Sequence, residues 1–273
     1  MSVGLSIRDG NKIYRSKRGS VVALSGVDLD VGQNEFCAIV GPSGCGKTTL
    51  LNAIAGFESL SSGTISLDGK VIGGADWSAR ADASRIVVFQ NGALFPWRTV
   101  LWNVTCGPVQ QGKLSVKEAS SQAIDLLNRV GLRGIENKYP DELSGGQQRR
   151  VEIVRALLND PKILLLDEPF RAMDALTKSV MQEYLSDLLF KLPKTVFFIT
   201  HDLDEAIFLA DRVCVFSSRP GRIKQSVKVD IPKPRTHEVL TSPEFLRIKA
   251  ALNDALHEEA VQAFKLGELE LAR

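Results

Sequence analysis

Phe36-Cys37-Ala38-Ile39-Val40-Gly41-Pro42-Ser43-Gly44-Cys45-Gly46-Lys47-Thr48-Thr49 is the stretch that decides the fold. Its first five residues are all apolar, the pattern of a strand covered on both faces in a parallel sheet. The remainder fits G-x-x-x-x-G-K-S/T, and a helical pattern follows from Thr49 to Ala55. Strand, glycine-rich turn and helix together are the setting a phosphate-binding loop requires. Its glycines let backbone N–H groups converge on phosphate oxygens without obstruction by Cβ. The helix N-terminus adds partial positive charge. Lys47 is then expected on the β- and γ-phosphates of a nucleotide, and the Thr48 hydroxyl on Mg²⁺.

Outward from this loop, three more runs are apolar on both faces: Ile86 to Phe89, Ile163 to Leu166 and Val196 to Ile199. Val213 to Phe216 is similar. Val27, Leu29 and Val31 alternate with Asp28 and Asp30, and Ile65 and Leu67 repeat the alternation, as half-buried strands do. Strands separated by helical stretches indicate an α/β fold. Between Gln90 and Pro161 the texture changes to helices, expected over Val116 to Val130 and Ser144 to Leu158. The tail also reads as helical from Ser242, with Ser242 as N-cap, Pro243 at the first position and Glu244 in the first turn. Leu246, Ile248, Leu252 and Leu256 are expected to pack that helix on its own domain. The expected organisation is one domain over residues 1–273. Its α/β core is 1–90 and 160–225, a helical subdomain is 91–159, and a helical tail is 226–273.

Two strand ends carry chemistry. Ile163 to Leu166 leads into Asp167-Glu168, and strand ends are where an open α/β sheet presents its ligand crevice. Asp167 suits Mg²⁺, directly or through water. Glu168 suits the role of polarising a water beside the γ-phosphate. Val196 to Thr200 ends at His201-Asp202, at the same inferred edge, so His201 is a candidate to contact the γ-phosphate and steady that water.

Bulk properties exclude other classes. With 34 basic and 32 acidic residues the net charge is only +2, which gives no electrostatic case for nucleic acid as the main ligand. The four cysteines (Cys37, Cys45, Cys106, Cys214) form no C-x-x-C pair, arguing against disulfides and structural zinc and for a reducing compartment. The N-terminal residues lack a signal-peptide pattern. No apolar run approaches the roughly 18 residues needed to span a bilayer, so any membrane role is expected to be peripheral.

Leu143-Ser144-Gly145-Gly146-Gln147 reads as a helix start: Ser144 caps, while Gly145 and Gly146 leave backbone N–H groups bare, a second anion site with a positive helix end. With this run the chain resembles the ATP-binding subunits of ABC transporters over nearly its whole length. Residues 143–147 match the family's signature, Gln90 its Q-loop, Met173-Asp174 its D-loop and His201 its H-loop. Tyr14 lies where the family carries an aromatic that stacks on adenine. The resemblance implies a P-loop NTPase fold with an N-terminal antiparallel β region and an inserted α-helical subdomain that carries the signature. It also implies a head-to-tail homodimer, or a pair with a close paralogue, enclosing two ATP molecules with Mg²⁺. ATP would be held by Tyr14, Gly41, Pro42, Ser43, Gly44, Cys45, Gly46, Lys47, Thr48 and Thr49 of one subunit. The Ser144, Gly145, Gly146, Gln147 and Asp174 set would complete the site. Thr48, Gln90 and Asp167 would hold the metal, and Glu168, His201 and Gln90 would serve hydrolysis.

A single phosphate loop, and the lack of a heptad-rich stretch between Thr49 and Leu143, argue against the tandem translation-factor and chromosome-maintenance types. Leu94-Phe95-Pro96-Trp97-Arg98-Thr99-Val100 and Ser218-Arg219-Pro220-Gly221-Arg222-Ile223 are similar to the subfamily that imports nitrate, sulfonates and taurine. That implies a peripheral subunit on the cytoplasmic face of the membrane. It would dock on permease subunits through Phe95, Trp97 and Trp102 and be served indirectly by a solute-binding protein. Arg171 and Met173 depart from the family's usual Gly or Ser and Leu. Two competing expectations are a soluble ABC-type ATPase that remodels protein or nucleic-acid complexes, and a nucleotide-dependent binding module without turnover.

Overall fold

Strand β3 (Phe36–Val40) is buried along its full length, and its alternating side chains divide the interior into two cores. Phe36, Ala38 and Val40 join one; Cys37 and Ile39 join the other. In the computed structural model, residues 3–16, 19–75, 80–171 and 173–265 are described. Around β3 lie β6 (Arg85–Val88), β7 (Ile163–Asp167), β8 (Thr195–Ile199), β9 (Arg212–Phe216) and β10 (Ile223–Lys228). The sheet order is β10-β9-β3-β8-β7-β6, parallel throughout except for β9–β10. The apolar runs expected as central strands occupy its middle. Phe89 lies just past β6 rather than in it, its ring stacked on Phe57.

A second, antiparallel sheet has the order β2-β1-β4-β5, formed by β1 (Val3–Ser16), β2 (Gly19–Gly32), β4 (Ser62–Leu67) and β5 (Lys70–Gly74). Val27, Leu29, Val31, Ile65 and Leu67 turn inward from it. With helix α1 (Lys47–Ala55) they fill the core that receives Cys37, Ile39, Leu165 and Phe197. Leu164, Leu166, Val196 and Phe198 face the opposite way, toward the helices.

Three helices make the inserted part: α2 (Val100–Gln110), α3 (Val116–Arg129) and α4 (Gly145–Leu158). Ser115 and Glu118 form a reciprocal cap at the start of α3. Helix α2 is not legible as such in the sequence, because β-branched residues, Gly107 and Pro108 blur its period. Among the described residues, α5 (Ala175–Lys191), α6 (Leu203–Leu209) and α7 (Pro243–Lys265) follow. Strand β10 runs across residue 225, so the sheet extends into the stretch expected as helical tail. The Ser242 hydroxyl accepts from the Phe245 N–H and starts α7. Ile248 and Leu252 are buried as expected, but Leu246 is exposed. Phe245 and Ala255 complete the inward stripe instead, following the spacing of three and four residues.

Between β10 and α7 the chain wraps beneath α6, fastened by Arg235. This buried guanidinium donates to the carbonyls of Ile207, Phe208 and Ala210 at the end of α6, and to Ile231 and Val229. Burial pushes Arg235 down to about 10. It satisfies helix-end carbonyls that would otherwise be orphaned. Arg235→Ala is expected to cost about 3 kcal/mol, read as a lower urea midpoint at unchanged m-value. A loss within about 0.5 kcal/mol would mean that other donors replace it.

Candidate functional site

The carboxyl ends of β3, β7 and β8 open on one edge of the sheet, and the loops leaving them carry the candidate side chains. After β3 the phosphate loop turns through Gly46, whose φ of 101° is open to glycine. A Cβ there would stand 2.7 Å from the Ala23 carbonyl. The Gly46 carbonyl accepts from the Leu50 N–H 2.9 Å away, starting α1. Lys47 is buried, and its ammonium lies inside the loop, donating to the Gly41 and Pro42 carbonyls, both at 2.7 Å. Cys45 is also buried, its sulfur 3.5 Å from that ammonium.

Asp167, the last residue of β7, is buried, with the Thr48 hydroxyl close enough to favour its charged form. Burial pushes its carboxyl above the usual range and the Glu168 charge adds to this, while Thr48 and Lys47 oppose it. A carboxylate raised in this way beside a hydroxyl is a donor pair suited to a hard divalent cation. Glu168 follows with φ 43°, a strained backbone for a non-glycine residue, and its N–H is bonded to the Ile199 carbonyl at 2.9 Å. Its carboxylate oxygen Oε2 is 3.4 Å from His201 Nδ1 and 3.3 Å from an Arg171 guanidinium nitrogen. The structure thus brings Lys47, Thr48, Asp167, Glu168 and His201 to one edge, with Arg171 on the same carboxylate.

His201 is held at the end of β8 by a network beneath it. Lys178 of α5 bonds Asp202 at 2.7 Å and Glu205 at 2.5 Å, and the Thr200 hydroxyl donates to Glu205. Burial works against the Asp202 charge, yet Lys178 and the Glu205 and Asp204 amides hold its carboxyl below the usual range. Burial dominates at Glu205 and raises it.

The signature residues occupy a different cleft, of ≈ 350 Å³, lined among others by Gln90, Ser144, Gly145, Gly146, Asp174 and Thr177. Ser144 accepts from the Gln147 N–H, and the Gln147 side chain accepts from the Ser144 N–H, so Gln147 is spent on the cap. The first-turn amides of Gly145 and Gly146 have no intrahelical partner, as helix geometry dictates. Asp174 caps α5 through the Thr177 N–H. Gln90 lines this cleft and also stands near Glu168, since two residues earlier Val88 pairs with Leu166 in parallel register. Lys47, Asp167, Glu168 and His201 are not among the residues that line this cleft, so the signature and Asp174 stand apart from them, with Gln90 between the two groups.

Two groups of residues with a structural hold on the site were not singled out from sequence for that role. Arg219 donates to the Gly44 carbonyl from across the phosphate loop, at 3.0 and 3.3 Å. Beside it, a Cβ on Gly221 would stand 2.1 Å from the Cys45 carbonyl, so only glycine lets this segment lie against the loop. The Ser218 to Ile223 stretch, noted only as a subfamily trait, is thus a brace for the phosphate loop. Asn103 is the second. Fully buried in α2, it accepts from the Phe95 N–H and donates to the Phe95, Arg98 and Thr99 carbonyls. It fixes a loop on which Trp97 is 69% exposed, with Phe95 and Trp102 packed edge-on at 5.5 Å and Arg98 over the Trp102 ring. Tyr14 is exposed near the phosphate loop, its hydroxyl 2.5 Å from Glu58 and 3.4 Å from Thr49.

A strand-fed phosphate loop facing a carboxylate pair defines a nucleotide-binding protein of the P-loop class. Comparison with known proteins narrows the class. A family model described as ABC transporter matches residues 24–171. The chain is 44% identical over 258 residues to the nitrate import ATP-binding protein NrtD of Synechocystis sp., covering 92% of this chain and 94% of that one. It is 40% identical over 249 residues to the aliphatic sulfonates import ATP-binding protein SsuB of Bacillus licheniformis, covering 90% and 92%. A solved dimeric structure of a bacterial ABC transporter cassette is similar at TM-score 0.72 and 30% identity, over 84% of this chain and 100% of that one. The chain belongs to the ABC transporter family, as an ATP-binding cassette with the ATPase fold. Among the described residues no helix is long and apolar enough to cross a membrane.

Gly46→Ala is expected to weaken ATP binding about tenfold or more, because the added methyl group must push the loop off the Ala23 carbonyl. Titration calorimetry checks this, with the thermal midpoint as control. Unchanged affinity would mean that the loop's shape does not hold the nucleotide.

Proposed function

We propose that this chain is the ATP-hydrolysing subunit of a membrane importer, working as a pair of copies at the cytoplasmic face on permease subunits supplied by a solute-binding protein. One observation carries the reading. Within one chain, Ser144 to Gly146 line a cleft that Lys47, Asp167, Glu168 and His201 do not line. Each group is then half of a site that a second copy, set head to tail, completes. The dimeric cassette among the similar structures supports this. The nitrate and sulfonate import relatives support a small anion or sulfonate-like solute as cargo.

Lys47 and the loop amides hold the β- and γ-phosphates, and Tyr14 meets the adenine. Thr48, Asp167 and Gln90 would hold Mg²⁺, which when bound neutralises phosphate charge. Glu168 accepts a proton from the attacking water, whose oxygen bonds the γ-phosphorus as the bond to the bridging oxygen breaks, giving ADP and phosphate. His201, 3.4 Å from the Glu168 carboxylate, orients it. The γ-phosphate also meets the signature amides of the partner copy, so its departure lets the pair open, a two-state element biased by ligand. The Phe95, Trp97 and Trp102 surface, fixed by Asn103, passes that motion to the permease.

Glu168→Gln is expected to bind ATP, lose hydrolysis by about 100-fold or more and accumulate as dimers in size-exclusion chromatography. Full turnover would remove Glu168 from this role. Ser144→Arg is expected to abolish hydrolysis while the monomer still binds ATP, as shown by phosphate release against nucleotide binding. Unchanged hydrolysis would count against a shared site.

A further inference from the structure

A buried ion pair in α4 lies at the floor of the signature cleft, with no role assigned to it so far. Arg149 and Glu152 are 7% and 4% exposed, with guanidinium and carboxylate 2.7 Å apart. The guanidinium also donates to the carbonyls of Phe89 and Pro169, both at 2.6 Å, and of Gln90 at 2.9 Å. Glu152 accepts from the Ala93 N–H with its other oxygen. Arg155, one turn on, donates to the Ala93 carbonyl at 2.8 Å. Every backbone group these side chains take belongs to a functional segment: residues 89–93 around Gln90, or Pro169 beside Glu168.

We propose that Arg149 and Glu152 are positioning residues, an internal clasp by which α4, residues 89–93 and the segment after Glu168 move as one body. A buried ion pair contributes little net stability compared with well-packed apolar side chains, so packing alone does not account for it. A planar fork with several donors is suited to joining three separate backbone segments. The signature sits at the N-terminus of the same helix, so the clasp ties the anion site to Gln90. Through Ala93 it also ties that site to the Phe95 and Trp97 loop. The mechanical consequence rests on the function proposed above; the clasp itself does not.

The test uses the full chain and three variants: Arg149→Gln, Arg149→Lys and Glu152→Gln. Without nucleotide, amide hydrogen exchange over residues 89–95 is expected to speed up about tenfold or more in Arg149→Gln. ATP affinity is expected to stay within about twofold while kcat falls about 10- to 100-fold. Arg149→Lys is not expected to restore kcat, since one ammonium cannot fork. Glu152→Gln, whose amide oxygen still accepts from Ala93, is expected to fall between, and it carries the test if Arg149→Gln does not fold. Parental exchange over 89–95, or loss of ATP affinity in step with kcat, would overturn the clasp. Failure of the shared-site reading shows separately, as Glu168→Gln that does not dimerise with ATP while the exchange result stands.

Discussion

A strand that is apolar on both faces must be covered from both sides, and β3, β7 and β8 all meet this condition. Their parallel register leaves only the strand ends free to meet solvent, and every carboxyl end falls at the same edge. Asp167, Glu168 and His201 lie at or next to such an end, and Lys47 follows one across the phosphate loop. Their convergence is thus a consequence of burial. The antiparallel sheet covers one face through α1, and the helices cover the other.

The central strands, the phosphate loop and the carboxylate pair were legible because local pattern alone specifies them. An unbroken apolar run, a glycine spacing and two acids after a strand need no distant partner to be read. The capped start of α4 was legible for the same reason. Helix α2 was not, since Thr99 caps it while Gly107 and Pro108 interrupt its period. Nor were Asn103, Arg149 and Arg219 legible in their holding roles. Each acts on backbone carbonyls far away in sequence or hidden in a loop, and a polar side chain in a helical pattern reads as solvent-facing until its burial is known. Leu246 is the converse case, an apolar residue whose helix turns it outward.

Several charges of the interior hold the backbone in distinct ways. Arg235 and the Lys178, Asp202 and Glu205 group fix the ends of elements: the close of α6, and the turn that carries His201. Arg149 and Glu152 instead bridge separate segments, joining α4 to residues 89–93 and to Pro169. These charges are costly to bury and are compensated by hydrogen bonds and ion pairs. The geometry around Glu168 adds a third case, in which a strained backbone residue shares one carboxylate oxygen between His201 and Arg171.

Asn103 holds the loop before α2 by its backbone alone, through the N–H of Phe95 and the carbonyls of Phe95, Arg98 and Thr99. None of those bonds involves a side chain of the loop. The frame therefore tolerates a change of vocabulary at Phe95, Trp97 and Arg98 without a change of shape. If that surface receives a membrane partner, the partner's identity is written in side chains that the nucleotide machinery never consults. One cassette design can then be matched to a new permease by rewriting a few exposed positions.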